Sequence, residues 1–375
     1  MLLRRAGFQN VVRRVCRQSR RPRSVSTLPQ PPPLPVIASI VLGLPLALWT
    51  YKCLMMVLFQ RRIIYMGYAP LGARQYGLED LPPTALDHIH CREETIHGSD
   101  GAKLSGLFVR SNKFNEEDIE TILVYLQGNA ASPVHRVPMF NHFIRSLSPP
   151  KSPRTGIFAI APRSYWKSTP RRPTQKGIIQ DYTDTLFYVL RRFPKARIVI
   201  YGHSLGGAAA ICTLSQLESS CGGSSRCNTD LDRIRGLVLE NPFESIPAMV
   251  RALYPQKWIP YHYLGPLAFD KWDTLAALRL HHNRDTVLGG LSREMLMLLS
   301  EYDEMVPLSM GETIFNTATL GRDTTARKVG DRDAKIPNLH LNTFHLWCQL
   351  PLLLEEAHIF SDEINIYQAT ILFRL

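Results

Sequence analysis

Residues 197–211 read Arg197-Ile198-Val199-Ile200-Tyr201-Gly202-His203-Ser204-Leu205-Gly206-Gly207-Ala208-Ala209-Ala210-Ile211, and this stretch decides the fold. The run 197–201 is short, β-branched and apolar without alternation, which fits a strand buried on both faces of a parallel sheet. Glycines flank Ser204 on both sides and relieve the crowding of a sharp turn, and the small residues after it open a helix. A strand, a turn and a helix in that order lift the Ser204 hydroxyl to the C-terminal edge of a sheet, with the helix N-terminus aimed at developing negative charge. A bare G-x-S-x-G occurs by chance with a probability on the order of 0.1 in a chain of this length, so the setting carries the reading. The competing role for Ser204 is an ordinary helix cap.

Similar runs lie on either side of it. Residues 121–126, 156–161, 236–239 and 295–300 are continuous apolar segments, and 94–109 reads as two strands around the turn Ser99-Asp100-Gly101. Helical stretches over 175–192, 205–217 and 246–253 separate most of them. This alternation predicts an α/β fold with a mostly parallel central sheet. Residues 60–93 read as a proline-containing linker, 94–375 as one domain, and 242–290 as its cap insertion.

With Gly202 to Gly207 stand two further motifs, Tyr125-Leu126-Gln127-Gly128-Asn129-Ala130 and Pro162-Arg163-Ser164-Tyr165-Trp166-Lys167-Ser168. Together they resemble the α/β-hydrolase superfamily, and more narrowly its membrane-anchored serine hydrolases carrying H-G-N-A before the first crossover helix. The likeness runs from about residue 65 to 307, with Gln127 where that family usually has His. It implies an oxyanion hole formed by the backbone N–H of Leu205 and that of Asn129, with Ala130 as the alternative second donor. Residues 162–168 fall where relatives have an R-G-Y-G-x-S loop and read as structural.

In this fold the acid and then the base follow the nucleophile. Glu301-Tyr302-Asp303-Glu304-Met305-Val306-Pro307 resembles the family's D-x-x-V-P turn, which makes Asp303 the acid and Glu304 its alternative. His281 and His282 precede the acid, and His203 lies inside the elbow, where packing is the expected role. His340, His345 and His358 remain. His340 follows 336–339, a short apolar step that reads as the last strand, and is taken as the base, with His345 as the alternative. The tail beyond it shows no regular amphipathic helix and departs from the family pattern.

The 44 basic and 32 acidic residues are unevenly spread. No acid precedes Glu79, and eleven bases lie in residues 1–62, so 63–375 is nearly neutral. That argues against a nucleic-acid partner, whose basic patch belongs on the folded part. The seven cysteines show no C-x-x-C spacing, and neither metal nor cofactor is expected. Cys221 and Cys227 bracket a Gly/Ser loop, two free thiols or, in an oxidising lumen, a disulfide.

Residues 36–59 form an apolar run interrupted only by Lys52, long enough for a helix to cross about 30 Å of hydrocarbon. Trp49 and Tyr51 suit an interfacial position. Residues 1–35 form a basic tail in which Phe8, Val11, Val12 and Val15 share one helical face, a pattern like a mitochondrial presequence; the arginine excess fits an endoplasmic reticulum anchor equally. The expectation is a single-pass membrane serine hydrolase that cleaves carboxylic esters or thioesters of lipid-like acyl substrates. The alternatives are a serine peptidase and an inactive membrane scaffold on the same fold. The oligomeric state is left open.

Overall fold

The computed structural model describes residues 33–147, 153–217, 230–282, 284–300, 303, 305–319, 327–329 and 369–373, the last two segments by their backbone alone. The chain divides into two units, Met1–Lys52 and Cys53–Leu375. Helix α1, Leu34–Leu58, is 25 residues long with Pro45 inside it and no buried side chain. At 1.5 Å per residue it extends about 37 Å, enough to cross a membrane by length and composition.

In the second unit the strands are β1 (Ile89–His97), β2 (Lys103–Ser111), β3 (Thr121–Leu126), β4 (Thr155–Ala161), β5 (Arg197–His203), β6 (Ile234–Glu240), β7 (Leu296–Ser300), β8 (Arg327–Val329) and β9 (Ala369–Phe373). They form one sheet in the order β1-β2-β4-β3-β5-β6-β7-β9-β8. The sheet is parallel from β4 through β7, and β1 and β2 flank it as an antiparallel hairpin. The hairpin turns at Gly101, whose φ of 77° suits a residue without a Cβ. Every residue of β3 and β4 is buried, as a sheet covered on both faces requires.

The helices are α2 (Gln60–Ile64), α3 (Val137–Ser146), α4 (Gln175–Arg192), α5 (Leu205–Leu217), α6 (Ile246–Leu253), α7 (Thr274–His281), α8 (Val287–Ser292) and α9 (Leu308–Thr319). The two longest after α1 start from local signals. Thr174 caps α4 by accepting the Gly177 N–H, and α5 follows directly from the elbow. Between β6 and β7 the chain makes α6, two 3₁₀ turns, α7 and α8, the stretch expected as a cap.

One expectation about strands needs amendment. The first strand begins at Ile89, five residues earlier than the apolar pattern indicates, and the preceding stretch lies on the body. Tyr65, Ala73 and Ala85 are buried there, Met66 donates its N–H to the Asn129 carbonyl at 2.7 Å, and Asn141 Nδ2 donates to the Ala85 carbonyl at 3.1 Å. The prolines and short 3₁₀ turns of residues 60–88 leave no period to read, while distant partners satisfy its backbone. The strand beside β7 is β9, running antiparallel. Residues 336–339, expected as the last strand, lie outside the described residues, as do Cys221, Cys227 and the basic tail through residue 32.

Candidate active site

Ser204 sits between the last residue of β5 and the first of α5 with φ at 52°, a left-handed conformation that a non-glycine residue adopts only under constraint. The constraint is visible. Its N–H donates to the Glu240 carbonyl at 2.8 Å, and its carbonyl accepts from Gly207 N–H at 2.8 Å. A Cβ on Gly202 would lie 2.5 Å from the Gly206 carbonyl oxygen, and one on Gly206 would overlap the Leu126 carbonyl. The turn therefore closes only with glycine at both positions. Leu205 is the first residue of α5, so its N–H has no intrahelical acceptor and faces the same edge of the sheet.

The loop after β3 is fixed as tightly. The Asn129 carbonyl accepts from Met66 N–H and from the Tyr165 hydroxyl at 3.1 Å, and Ala131 N–H donates to the Ala69 carbonyl at 2.6 Å. Gly128 passes so close to His203 that a Cβ would lie 2.8 Å from its Nδ1. Tyr165 is itself held by the 162–168 loop, where Arg163 donates from Nε and Nη2 to both Asp181 oxygens at 2.9 and 2.6 Å. Asp181 is fully buried in α4, and Arg163 also reaches Asp100 at the hairpin turn. The loop that reads as structural in the sequence thus anchors the loop bearing the candidate oxyanion donors. Gln127 is buried, and among the described residues neither its Nε2 nor its Oε1 has a hydrogen-bond partner.

Under the elbow lies a polar cluster that motif reading missed. Arg136 Nη2 approaches His203 at 3.3 Å from Nδ1 and 3.4 Å from Nε2, and the Tyr201 hydroxyl donates to Glu240 Oε2 at 3.0 Å. Burial pushes the His203 pKa down, and the nearby Arg136 pushes it the same way, against the pull of Glu240 and Asp303. A neutral ring in contact with a guanidinium suits a packing role. Burial alone would raise the Glu240 carboxyl, but His203, Arg136 and the Tyr201 hydroxyl together hold it below its usual value. The sequence signal available for it was an acid closing the apolar run 236–239.

Asp303 follows β7, and its Oδ1 accepts from Met305 N–H and Val306 N–H, each at 2.8 Å. That fixes the rotamer, and among the described residues Oδ2 takes up no donor. Asn241, with φ at 43°, donates its N–H to the Leu298 carbonyl and accepts Ser300 N–H on its side-chain oxygen at 2.8 Å. One side chain at the end of β6 thereby holds the end of β7, from which the acid turn departs. Asn tolerates the left-handed backbone this clamp needs. His340, His345 and His358, and Glu304 as the alternative acid, lie outside the described residues. His281, set aside on chain order, is buried and bonded to Ser215 and Thr286, away from the elbow's partners.

The strand order, the elbow and the two glycine-bearing loops define the α/β-hydrolase fold. Relatives agree. The chain is 28% identical over 263 residues to the alpha/beta hydrolase domain-containing protein WAV2 of Arabidopsis thaliana, covering 68% of this chain and 73% of that one. It is 27% identical over 251 residues to protein bem46 of Schizosaccharomyces pombe, covering 66% and 71%. Over 212 residues it is 24% identical to lysophosphatidylserine lipase ABHD12 of Danio rerio, covering 56% of this chain and half of that one. Among solved structures, brefeldin A esterase, described as a bacterial homologue of human hormone-sensitive lipase, superposes with a TM-score of 0.46 at 17% identity, covering 82% of each chain. No family model matches the chain. The chain has the α/β-hydrolase fold, and the relatives it resembles are α/β-hydrolase domain proteins.

Proposed function

We propose that this protein is a membrane-anchored serine hydrolase that cleaves carboxylic esters or thioesters of lipid-like acyl groups. The observation that carries the reading is Ser204 at φ 52° on a glycine-enforced strand-to-helix turn. Ser204 Oγ attacks the acyl carbon while His340 takes its proton, and the oxyanion forms against the N–H groups of Leu205 and Asn129. His340 then protonates the leaving alcohol or thiol. Water, activated by the same histidine, attacks the acyl-enzyme and releases the acid, and Asp303 holds the histidine tautomer throughout. Asp303 Oδ2, which takes up no donor among the described residues, supports that last role. One relative, ABHD12, carries the name lysophosphatidylserine lipase, and this supports a lipid ester as the substrate class. The apolar helix α1 supports a single-pass anchor.

The full-length protein assayed against acyl esters and thioesters graded from C2 to C8 and beyond, each below its micelle concentration, should show kcat/KM rising with chain length. Each buried methylene adds up to about 0.8 kcal/mol to transition-state binding. A flat or falling series would replace the lipid-type substrate with a small ester.

A further inference from the structure

Immediately after α1 and Phe59 comes α2, and α2 is fastened to the segment that leads into α7. Gln60 donates from Nε2 to the Leu267 carbonyl at 3.1 Å and accepts the Phe269 N–H on Oε1 at 2.7 Å, so its amide grips that backbone from both sides. Arg61 pairs with the nearly buried Asp270, Nε to Oδ2 at 2.8 Å, and its guanidinium lies 5.6 Å from the Phe269 ring centre. The Tyr65 hydroxyl accepts Trp272 Nε1–H at 3.0 Å. A stretch with the composition of a linker therefore works as a latch on the 267–272 segment.

Around the latch, large apolar side chains stay exposed on both partners: Phe59 and Ile63 on one, Leu267 and Phe269 on the other. A few residues earlier in the same insertion Trp258 is 71% exposed and Tyr263 61%, with the Tyr263 hydroxyl donating to the Lys257 carbonyl. Residues 246–271 carry Arg251, Lys257 and Lys271 against one acid, Asp270, which Arg61 already neutralises. Aromatic tips beside unopposed basic residues suit the headgroup boundary of a bilayer.

We propose that Phe59, Ile63, Trp258, Tyr263, Leu267 and Phe269 form a docking surface that seats in the headgroup-to-acyl boundary of the membrane. Chain connectivity chooses the occupant. Gln60 is two residues beyond Leu58, the end of α1, so the backbone it grips lies within about 15 Å of that end. The bilayer is then the apolar phase closest to these side chains, ahead of any protein partner. The inference rests on reading α1 as a membrane span, and it gives an acyl substrate a route to the insertion 242–290 without full desorption into water.

Tryptophan quenching separates the two claims. The full-length protein is reconstituted into phosphatidylcholine–phosphatidylserine vesicles with shallow brominated acyl chains, and wild type is compared with Trp258→Phe and Trp49→Phe. Near-ultraviolet circular dichroism of each variant checks that the fold is kept. Loss of part of the quenching in both variants is the expected result. Loss in Trp258→Phe alone still supports the docking surface while removing the span. Loss in Trp49→Phe alone leaves the span standing and overturns the docking surface, and no loss in either overturns both.

Discussion

At the elbow, backbone excludes side chains: a Cβ on Gly206 would overlap the Leu126 carbonyl, and one on Gly202 would meet the Gly206 carbonyl oxygen at 2.5 Å. At the acid turn no such crowding operates. Asp303 stands on the N–H groups of Met305 and Val306, and β7 ends where the Asn241 side chain holds Ser300. Both arrangements set one candidate catalytic group, but the first relies on the absence of atoms and the second on hydrogen bonds made by one replaceable side chain. Steric exclusion tolerates no substitution, whereas a hydrogen-bonded clamp weakens by degrees.

Gly206→Ala tests the first half most severely. It should cost on the order of 3 kcal/mol, because the Leu126 carbonyl belongs to a central strand that cannot retreat cheaply. Thermal unfolding of the full-length protein in detergent reads this directly, and an unchanged Tm would mean that the elbow has room the geometry denies. Asn241→Ala should be milder. It orphans the Ser300 N–H and places alanine in a left-handed conformation, with a loss of about 1–3 kcal/mol. Because the acid turn then shifts, kcat should fall roughly tenfold with KM little changed. If KM rose instead with kcat intact, the clamp would serve substrate binding.

The smallest expected effect concerns pH. The folded-state pKa of His203 is depressed below its unperturbed 6.5 by burial and by Arg136. As pH falls through about 6.5, the unfolded chain takes up a proton that the folded ring refuses, so the stability present above that pH is progressively lost below it. Glu240 is also depressed, below its ordinary 4.5, and its contribution, present above that value, fades only at more acidic pH. His203→Gln should therefore flatten the dependence of Tm on pH between about 7 and 5.5. An identical slope in the variant would assign the acid sensitivity to other groups.

This contrast also explains what the sequence revealed. Strands β3 to β7 and helices α4, α5 and α6 fall close to where the apolar runs place them, since a sheet covered on both faces writes its burial into consecutive residues. The elbow is legible because steric exclusion leaves glycines at fixed spacing. Arg136, Glu240 and Asn241 were missed as site neighbours, because their partners lie on other strands and a single polar residue has no period. The 60–88 stretch was missed for the same reason: Gln60, Arg61 and Tyr65 are recognisable only from what they touch about two hundred residues away. One consequence follows for truncation. Deleting residues 1–62 removes Gln60 and Arg61 with the apolar helix and so unlatches the 267–270 segment, while deletion through Lys52 keeps both.

The central claim is that Ser204 is an activated nucleophile with His340 as its base. Covalent labelling of the full-length protein by a fluorophosphonate tests it most directly, with intact-mass analysis to count the adduct. Wild type should take up one label, Ser204→Ala none, and His340→Ala should label slower by about 10³-fold or more, the loss expected when a triad member is removed. Undiminished labelling of Ser204→Ala, or no labelling of folded wild type, would contradict the account.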